Sequence, residues 1–338
     1  MRTLAVLMVV VAVVGADSFV DLLREEWSAF KLKHKKSYEN ETEERFRKKI
    51  YAENKLKVEK HNRRFERGEV TFRLDVNKYA DKLHHEFGHT MNGFNRTAKL
   101  NEEEVPLGAK FLSPANWAAP ETVDWRLEGA VTEVMDQGDC NSGYAFSTTG
   151  SLEGQHFRSS GKLVSLSEQN LIDCSVKFWN RGCKGGHVGY ALLYILNSGG
   201  LNTEESYPYE GVDNTCRFCD CPTSVVVGLE VYTMMTDGNE EIMKETVAAV
   251  GPLSAMIDAS QLSFLLYSSG VYYDEGCSSK NLNHGVLVVG YGTDEEGGDY
   301  WLVRNSWGTW WGENGYIKMA RNRGNNCGIA SYVAYPFV

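Results

Sequence analysis

All eight cysteines of this chain lie between Cys140 and Cys327. A long sulfur-free stretch therefore precedes a part that disulfides can tie together, and the two parts must fold under different constraints. The start of the chain supplies the compartment. Met1–Ala16 combines Arg2, an apolar run over Leu4–Val14 and the small residues Val14-Gly15-Ala16, the pattern of a secretory signal. The run is short for a bilayer span and nothing later is long and apolar enough, so no membrane partner is expected. Charge divides the chain in the same way. Residues 17–118 carry 21 Lys/Arg against 18 Asp/Glu, a net of +3, and residues 119–338 carry 13 against 27, a net of −14. Basic charge on the leading segment and acidic charge on the larger part suit an intramolecular partner and argue against nucleic acid.

The leading segment, 17–118, reads as helical. Phe19, Leu22, Leu23, Trp27 and Phe30 recur at helical spacing, and a charged stretch from Glu43 to about Phe65 places Phe46, Ile50 and Val58 on a common face. Asn101–Glu104 and Ser113-Pro114 look like an exposed, cleavable connector. From residue 119 onward the texture changes to glycine-rich loops, aromatics and short strands. A helix is expected from just after Asn141 to Ser160, ended by Gly161. Ser165-x-x-Glu168 offers a capping box for a short helix carrying Leu171 and Ile172. Val286–Val289, Tyr300–Val303 and Tyr316–Met319 read as strands, with a turn at Gly297-Gly298. Helices first and antiparallel strands later give an α+β class.

Separated motifs in order then point to a family. Gln137-Gly138-Asp139-Cys140-Asn141-Ser142-Gly143-Tyr144-Ala145-Phe146-Ser147 resembles the active-site block of papain-family cysteine proteases, Gln-Gly-x-Cys-Gly-Ser-Cys-Trp-Ala-Phe-Ser. Asn283-His284-Gly285 and Asn305-Ser306-Trp307-Gly308 resemble that family's histidine and asparagine sites, and Cys183-Lys184-Gly185-Gly186 its cleft-lining loop. In the leader, Glu43, Arg47, Tyr51, Asn54, Val58 and Asn62 keep the spacing of the propeptide helix motif, and Asn77-x-Tyr79-x-Asp81 resembles the motif after it. The cathepsin L branch is the best match. The resemblance implies a two-lobe fold, a helical lobe beside an antiparallel β-barrel-like lobe at 119–338, behind a helical inhibitor propeptide at 17–118 and a signal peptide at 1–16.

The resemblance also assigns roles. A thiol protease needs a sulfur at a helix start, where the helix dipole and a neighbouring imidazole hold it as thiolate. His284 falls at the base, Asn305 at its orienting group, Trp307 at the shield over their hydrogen bond and Gln137 at the oxyanion-hole donor. Gly143 falls at the nucleophile, and a glycine has nothing to attack with. Ser142, one residue away, points aside on a helix, and Cys140 stands where the family uses a disulfide. Water attack assisted by His284 would be negligible as peptidase activity. Asn141, Tyr144 and Asn283 replace the usual Gly, Trp and Asp, while Met256 and Tyr332 fall where small alanines line the specificity pocket, so bulk is expected to fill that hole. Several changes together suggest a natural inactive homologue, not an engineered one. The helix N-terminus with Gln137 could hold an anion, an ordered water being the blander occupant.

The resemblance implies the disulfides Cys140–Cys183, Cys174–Cys216 and Cys277–Cys327; Cys219 and Cys221 are extra, and their state stays open. Asn40-Glu41-Thr42 and Asn95-Arg96-Thr97 are glycosylation sequons. No cofactor is implied, and His284 has no companion at metal-ligand spacing. The chain is thus expected to be secreted or lysosomal. Its partners would be its own propeptide, with peptides or active cysteine proteases as further candidates. The competing function is an endopeptidase with residual or unrecognised activity.

Overall fold

The computed structural model of the chain describes residues 22–86, 117–218 and 227–338. The signal segment, the connector, Asn95, Cys219 and Cys221 lie outside them. The leader begins with a helix, α1, over 22–33, and continues in α2, Glu41–Glu66. Asn40 caps α2, its side-chain oxygen accepting the Thr42 and Glu43 N–H groups, and Glu41, Glu43 and Glu44 complement the positive end of the helix. Trp27 and Phe30 of α1 pack their rings on Tyr51 of α2 at 5.4 and 4.7 Å. Ile50, Tyr51, Asn54 and Val58 are the buried face of α2. Phe46 is a correction to that face, because it stays 47% exposed and lies beside the Arg47 guanidinium.

Three polar residues of the leader motif, Arg47, Asn54 and Asn62, hold the chain that follows α2. Asn54 donates to the carbonyls of Ala80 and Lys82, Asn62 pairs through both side-chain atoms with Leu74, and Arg47 binds Glu86 at 2.7 Å. Asp81 accepts from Lys36 and Tyr38. So pinned, β1, Phe72–Leu74, pairs antiparallel with β5, Tyr267–Tyr272, of the larger part. Asn77 donates to the Leu265 carbonyl at 2.7 Å, and Lys78 binds Asp136 while lying over Trp310. The leader is therefore a strand and a clamp on the domain behind it.

That domain has two lobes. The helical lobe contains α3, Gly143–Ser160, α4, Glu168–Cys174, and α5, Val188–Ser198. Gly161 closes α3 in the left-handed conformation at φ +72°, as its placement in the sequence suggests. The cap of α4 is Ser167, which accepts the Asn170 N–H, and not Ser165. A bridge between Leu166 and Thr203 holds Ser165 outside the helix start, and Glu168 turns inward to Thr149 instead of capping.

In the other lobe the leader's β1 completes a sheet of nine strands among the described residues, in the order β1-β5-β8-β7-β6-β4-β9-β3, with β2, Val123–Asp124, added on β6. Its other members are β3 (Val231–Met235), β4 (Leu253–Ile257), β6 (His284–Asp294), β7 (Gly298–Arg304), β8 (Tyr316–Ala320) and β9 (Val333–Phe337). Pairing is antiparallel except between β5 and β8. The three expected strands lie within β6, β7 and β8. Trp301, Trp307, Trp311, Tyr267, Tyr272 and Phe264 fill this lobe's core, fully buried. The disulfides Cys140–Cys183, Cys174–Cys216 and Cys277–Cys327 are formed. Each adds roughly 2–4 kcal/mol to a domain of this kind.

Candidate active site

The lobes meet where the first residue of α3 faces the first residue of β6. Gly285 allows the approach, since a Cβ there would stand 2.8 Å from the Gly143 carbonyl oxygen. A side chain would hold the strand off the helix. This contact puts the His284 imidazole against Gly143.

His284 is buried, and its Nε2 lies 2.8 Å from Asn305 Oδ1. Asn305 Oδ1 also accepts the Ser306 N–H at 2.8 Å, which fixes which amide atom faces the ring. Nε2 therefore donates and Nδ1 keeps its lone pair, on the side toward Gly143. Burial pushes the His284 pKa down to about 4, and the Asn305 hydrogen bond offsets this only in part. Trp307 lies over the ring at 5.0 Å between centroids, with Phe264 edge-on behind it, so the imidazole–amide bond is shut off from solvent. His284, Asn305 and Trp307, far apart in the sequence, thus come together in space.

The nucleophile's place is different. A Cβ built on Gly143 would meet His284 Cε1 at 2.7 Å, Nδ1 at 2.8 Å and the Gly285 carbonyl oxygen at 3.0 Å. Real Cβ atoms do not approach other atoms so closely, so the imidazole has settled into the space a side chain at 143 would need. What remains is a neutral acceptor nitrogen aimed at a CH₂ group. Neighbouring groups are engaged elsewhere. Ser142 is fully buried with its Oγ 2.8 Å from the Tyr209 hydroxyl, and Cys140 is in its disulfide. Gln137 is buried, its Oε1 accepting from Ser306 Oγ at 2.6 Å while Nε2 donates to the Cys140 carbonyl at 2.9 Å. The Cys140 carbonyl takes one of its two amide hydrogens.

Beside the pair is a pocket of about 160 Å³, open mouth included, lined by Gly143, Tyr144, Gly186, Met256, Asn283 and His284 among others. Met256 is fully buried and walls the pocket as expected. Tyr332 does not line it. Its hydroxyl lies 3.4 Å from both His187 Nδ1 and Met234 Sδ, and its ring stands edge-on to His187 at 4.4 Å. The bulk at 332 therefore packs beneath the pocket's wall, where the Tyr332 carbonyl also accepts the Met256 N–H. Asn283 turns its amide to Asp258 and the Ala259 N–H and offers the pocket no charge. Gly186 is without a Cβ because Tyr144 and Asn180 would meet one at 2.8 and 2.5 Å. Gly185 sits at φ +101°, in the region glycine favours. His187, which the motifs did not single out, caps α5 by accepting the Gly189 N–H. Among the described residues no cluster of metal-ligating side chains occurs.

Two lobes that set a shielded imidazole–amide pair against the start of a long helix, with an inhibitor-like leader across one of them, define the thiol-protease precursor class. The comparisons give the family. Residues 119–337 match the papain family cysteine protease model and residues 27–87 the cathepsin propeptide inhibitor domain, so the chain belongs to the papain family of cysteine proteases, as a cathepsin L-like precursor. It is 56% identical over 341 residues to a cathepsin L-like peptidase of Aedes aegypti, covering 100% of both chains. It is 56% identical over 345 residues to cathepsin L1 of Drosophila melanogaster, covering 100% of this chain and 92% of that one. Digestive procathepsin L 3 of the Tenebrio molitor larval midgut superposes with a TM-score of 0.84 at 44% identity, over 94% of this chain and 99% of that one.

Proposed function

We propose that this chain is a cathepsin L-like homologue without thiol-peptidase chemistry, which acts by binding peptides, by storage, or by regulating active relatives through its leader. One observation carries the reading: residue 143 is a glycine, and the His284 ring stands in the space its side chain would take. In this reading His284 is a base with no acid to deprotonate, Asn305 orients it and Trp307 shields it. Gln137 and the start of α3 remain as donors for a bound carbonyl oxygen. The pocket walled by Met256, Asn283 and Gly186, over Gly185, is where a peptide side chain would rest. The sequon at Asn40 remains open to a sugar, because capping uses Oδ1 and glycosylation uses Nδ2. The disulfides and the signal-like start favour secretion or lysosomal delivery, and no cofactor enters.

A second reading is favoured by the comparisons, since the relatives named above are peptidases or their precursors. On that reading the chain is a working endopeptidase with some other attacking group. Ser142 and Cys140 are poor candidates because of the contacts just described. Mass spectrometry of peptides incubated with the leader-free domain separates the two. Saturable binding with every peptide recovered intact supports the first; new termini support the second, and a thiol-directed epoxide shows whether the attacking group is a thiol.

A further inference from the structure

We propose that the loop from Ser175 to His187 is a docking platform for an acidic peptide segment that bears an aromatic side chain. The proposal goes beyond the function proposed above and holds whether or not His284 assists any cleavage.

Trp179 is the first observation. Its backbone lies at φ +67°, a region that a bulky L-residue occupies only under strain, and its side chain is 56% exposed. Glycine or asparagine would hold this turn without the strain, and burial does not compensate, because the indole is turned outward. Its ring lies 5.4 Å from Tyr190, which in turn lies 5.3 Å from His187. An exposed indole is thus backed by two buried rings. The loop that carries it is fixed in place. Asn180 accepts the His187 N–H at 2.7 Å and donates to Ser175 Oγ at 2.9 Å, the Trp179 N–H closes on the Val176 carbonyl, and Cys183 is tied to Cys140. An aromatic held in this way loses little freedom on binding.

Charge is the second, independent observation. Lys177, Arg181 and Lys184 are exposed around Trp179, none of them forms an ion pair among the described residues, and the sequence from 175 to 187 contains no Asp or Glu. Asp213, which borders the loop, has one carboxylate oxygen on the Cys183 N–H at 2.6 Å. Three cations in so short a loop are conspicuous on a part of the chain whose net charge is −14 (13 Lys/Arg against 27 Asp/Glu over 119–338). They would select an anionic partner against the repulsion of the remaining surface. The loop runs into Gly185-Gly186, and Gly186 borders the pocket beside Gly143. A peptide that leaves this pocket along the loop would meet the cations and the indole.

The test uses the full chain and a fluorescein-labelled Glu-Glu-Tyr repeat peptide, read by anisotropy. Trp179→Gly should weaken binding at least about tenfold while raising the melting temperature, since the strained backbone is relieved; a merely structural tryptophan would not separate the two. Charge reversal by K177E, R181E and K184E together should abolish binding and its salt dependence. The proposal is overturned if a tyrosine-free poly-Glu peptide binds as tightly as the repeat. It is also overturned if W179G leaves the affinity unchanged, or if heparin binds with the same dependence on the three cations but none on Trp179.

Discussion

On the proposed reading, Gly143 alone decides what the site can do. A sulfur placed there is not expected to form an active pair, because the new Cβ must displace a ring held by Asn305 and Trp307. Burial, which pushes the His284 pKa down in this chain, also opposes the imidazolium that a thiolate would need beside it. In Gly143→Cys the thiol should therefore alkylate with a midpoint close to the free-thiol value of about 8.5, measured by the pH dependence of iodoacetamide labelling. A reactive plateau extending to acid pH would show instead that the ring moves back easily. Much at this scale was legible in the sequence. Gln137, His284, Asn305 and Trp307 stand in short motifs whose spacing is tied to one geometry. The position of the imidazole was not, since it depends on how closely β6 approaches α3. Neither was the placement of the Tyr332 hydroxyl between His187 and Met234, which needs residues far apart in the chain to come together.

At the scale of elements, local signals predicted well wherever the local backbone decides and failed wherever packing does. Gly161 ends α3 and the turn at Gly297-Gly298 joins β6 to β7, because each is a matter of a few dihedral angles. Ser165 and Glu168 satisfy the capping-box spacing yet do not cap, since the Leu166–Thr203 bridge and the Thr149 hydroxyl claim them first. Phe46 keeps helical spacing with Ile50 but lies at the edge of the face that meets α1. The leader helix allows a direct check. Asn40→Ala removes two capping bonds from α2 and should lower stability by about 1 kcal/mol, read as a drop in the melting temperature of the full chain. Asn40→Asp should retain nearly all of it. Loss of the same size in both would assign the effect to something other than the cap.

At the scale of the molecule, the helical lobe and the sheet lobe bury titratable groups whose charged forms burial disfavours. Burial, reinforced by Glu153, raises the Glu168 pKa to about 8, so its contribution is full below the ordinary carboxylate value and is lost as pH rises through 8. Burial lowers His187 to about 3 and His284 to about 4, so theirs is full above the ordinary imidazole value and is lost as pH falls toward 4. Stability should therefore peak between these limits and decline on both sides in thermal melts. His187→Asn, which can still cap α5, should soften the acid side, and an unchanged acid side would discount this residue. The leader adds a second whole-molecule expectation. Its strand on β5, Asn77 on Leu265 and Lys78 on Asp136 hold it to the domain, and on the proposed reading the chain has no means of cutting it away. Purified, acidified full-length chain should keep its leader, as judged by intact mass, at every protein concentration.

The central claim concerns amide bonds, and the rate of their hydrolysis tests it most directly. The chain, freed of its leader by an added protease that is then inhibited, is given fluorogenic peptides at acid pH with and without a thiol-directed epoxide. The account predicts no release above the buffer rate and no effect of the epoxide. Steady turnover that the epoxide abolishes would contradict it.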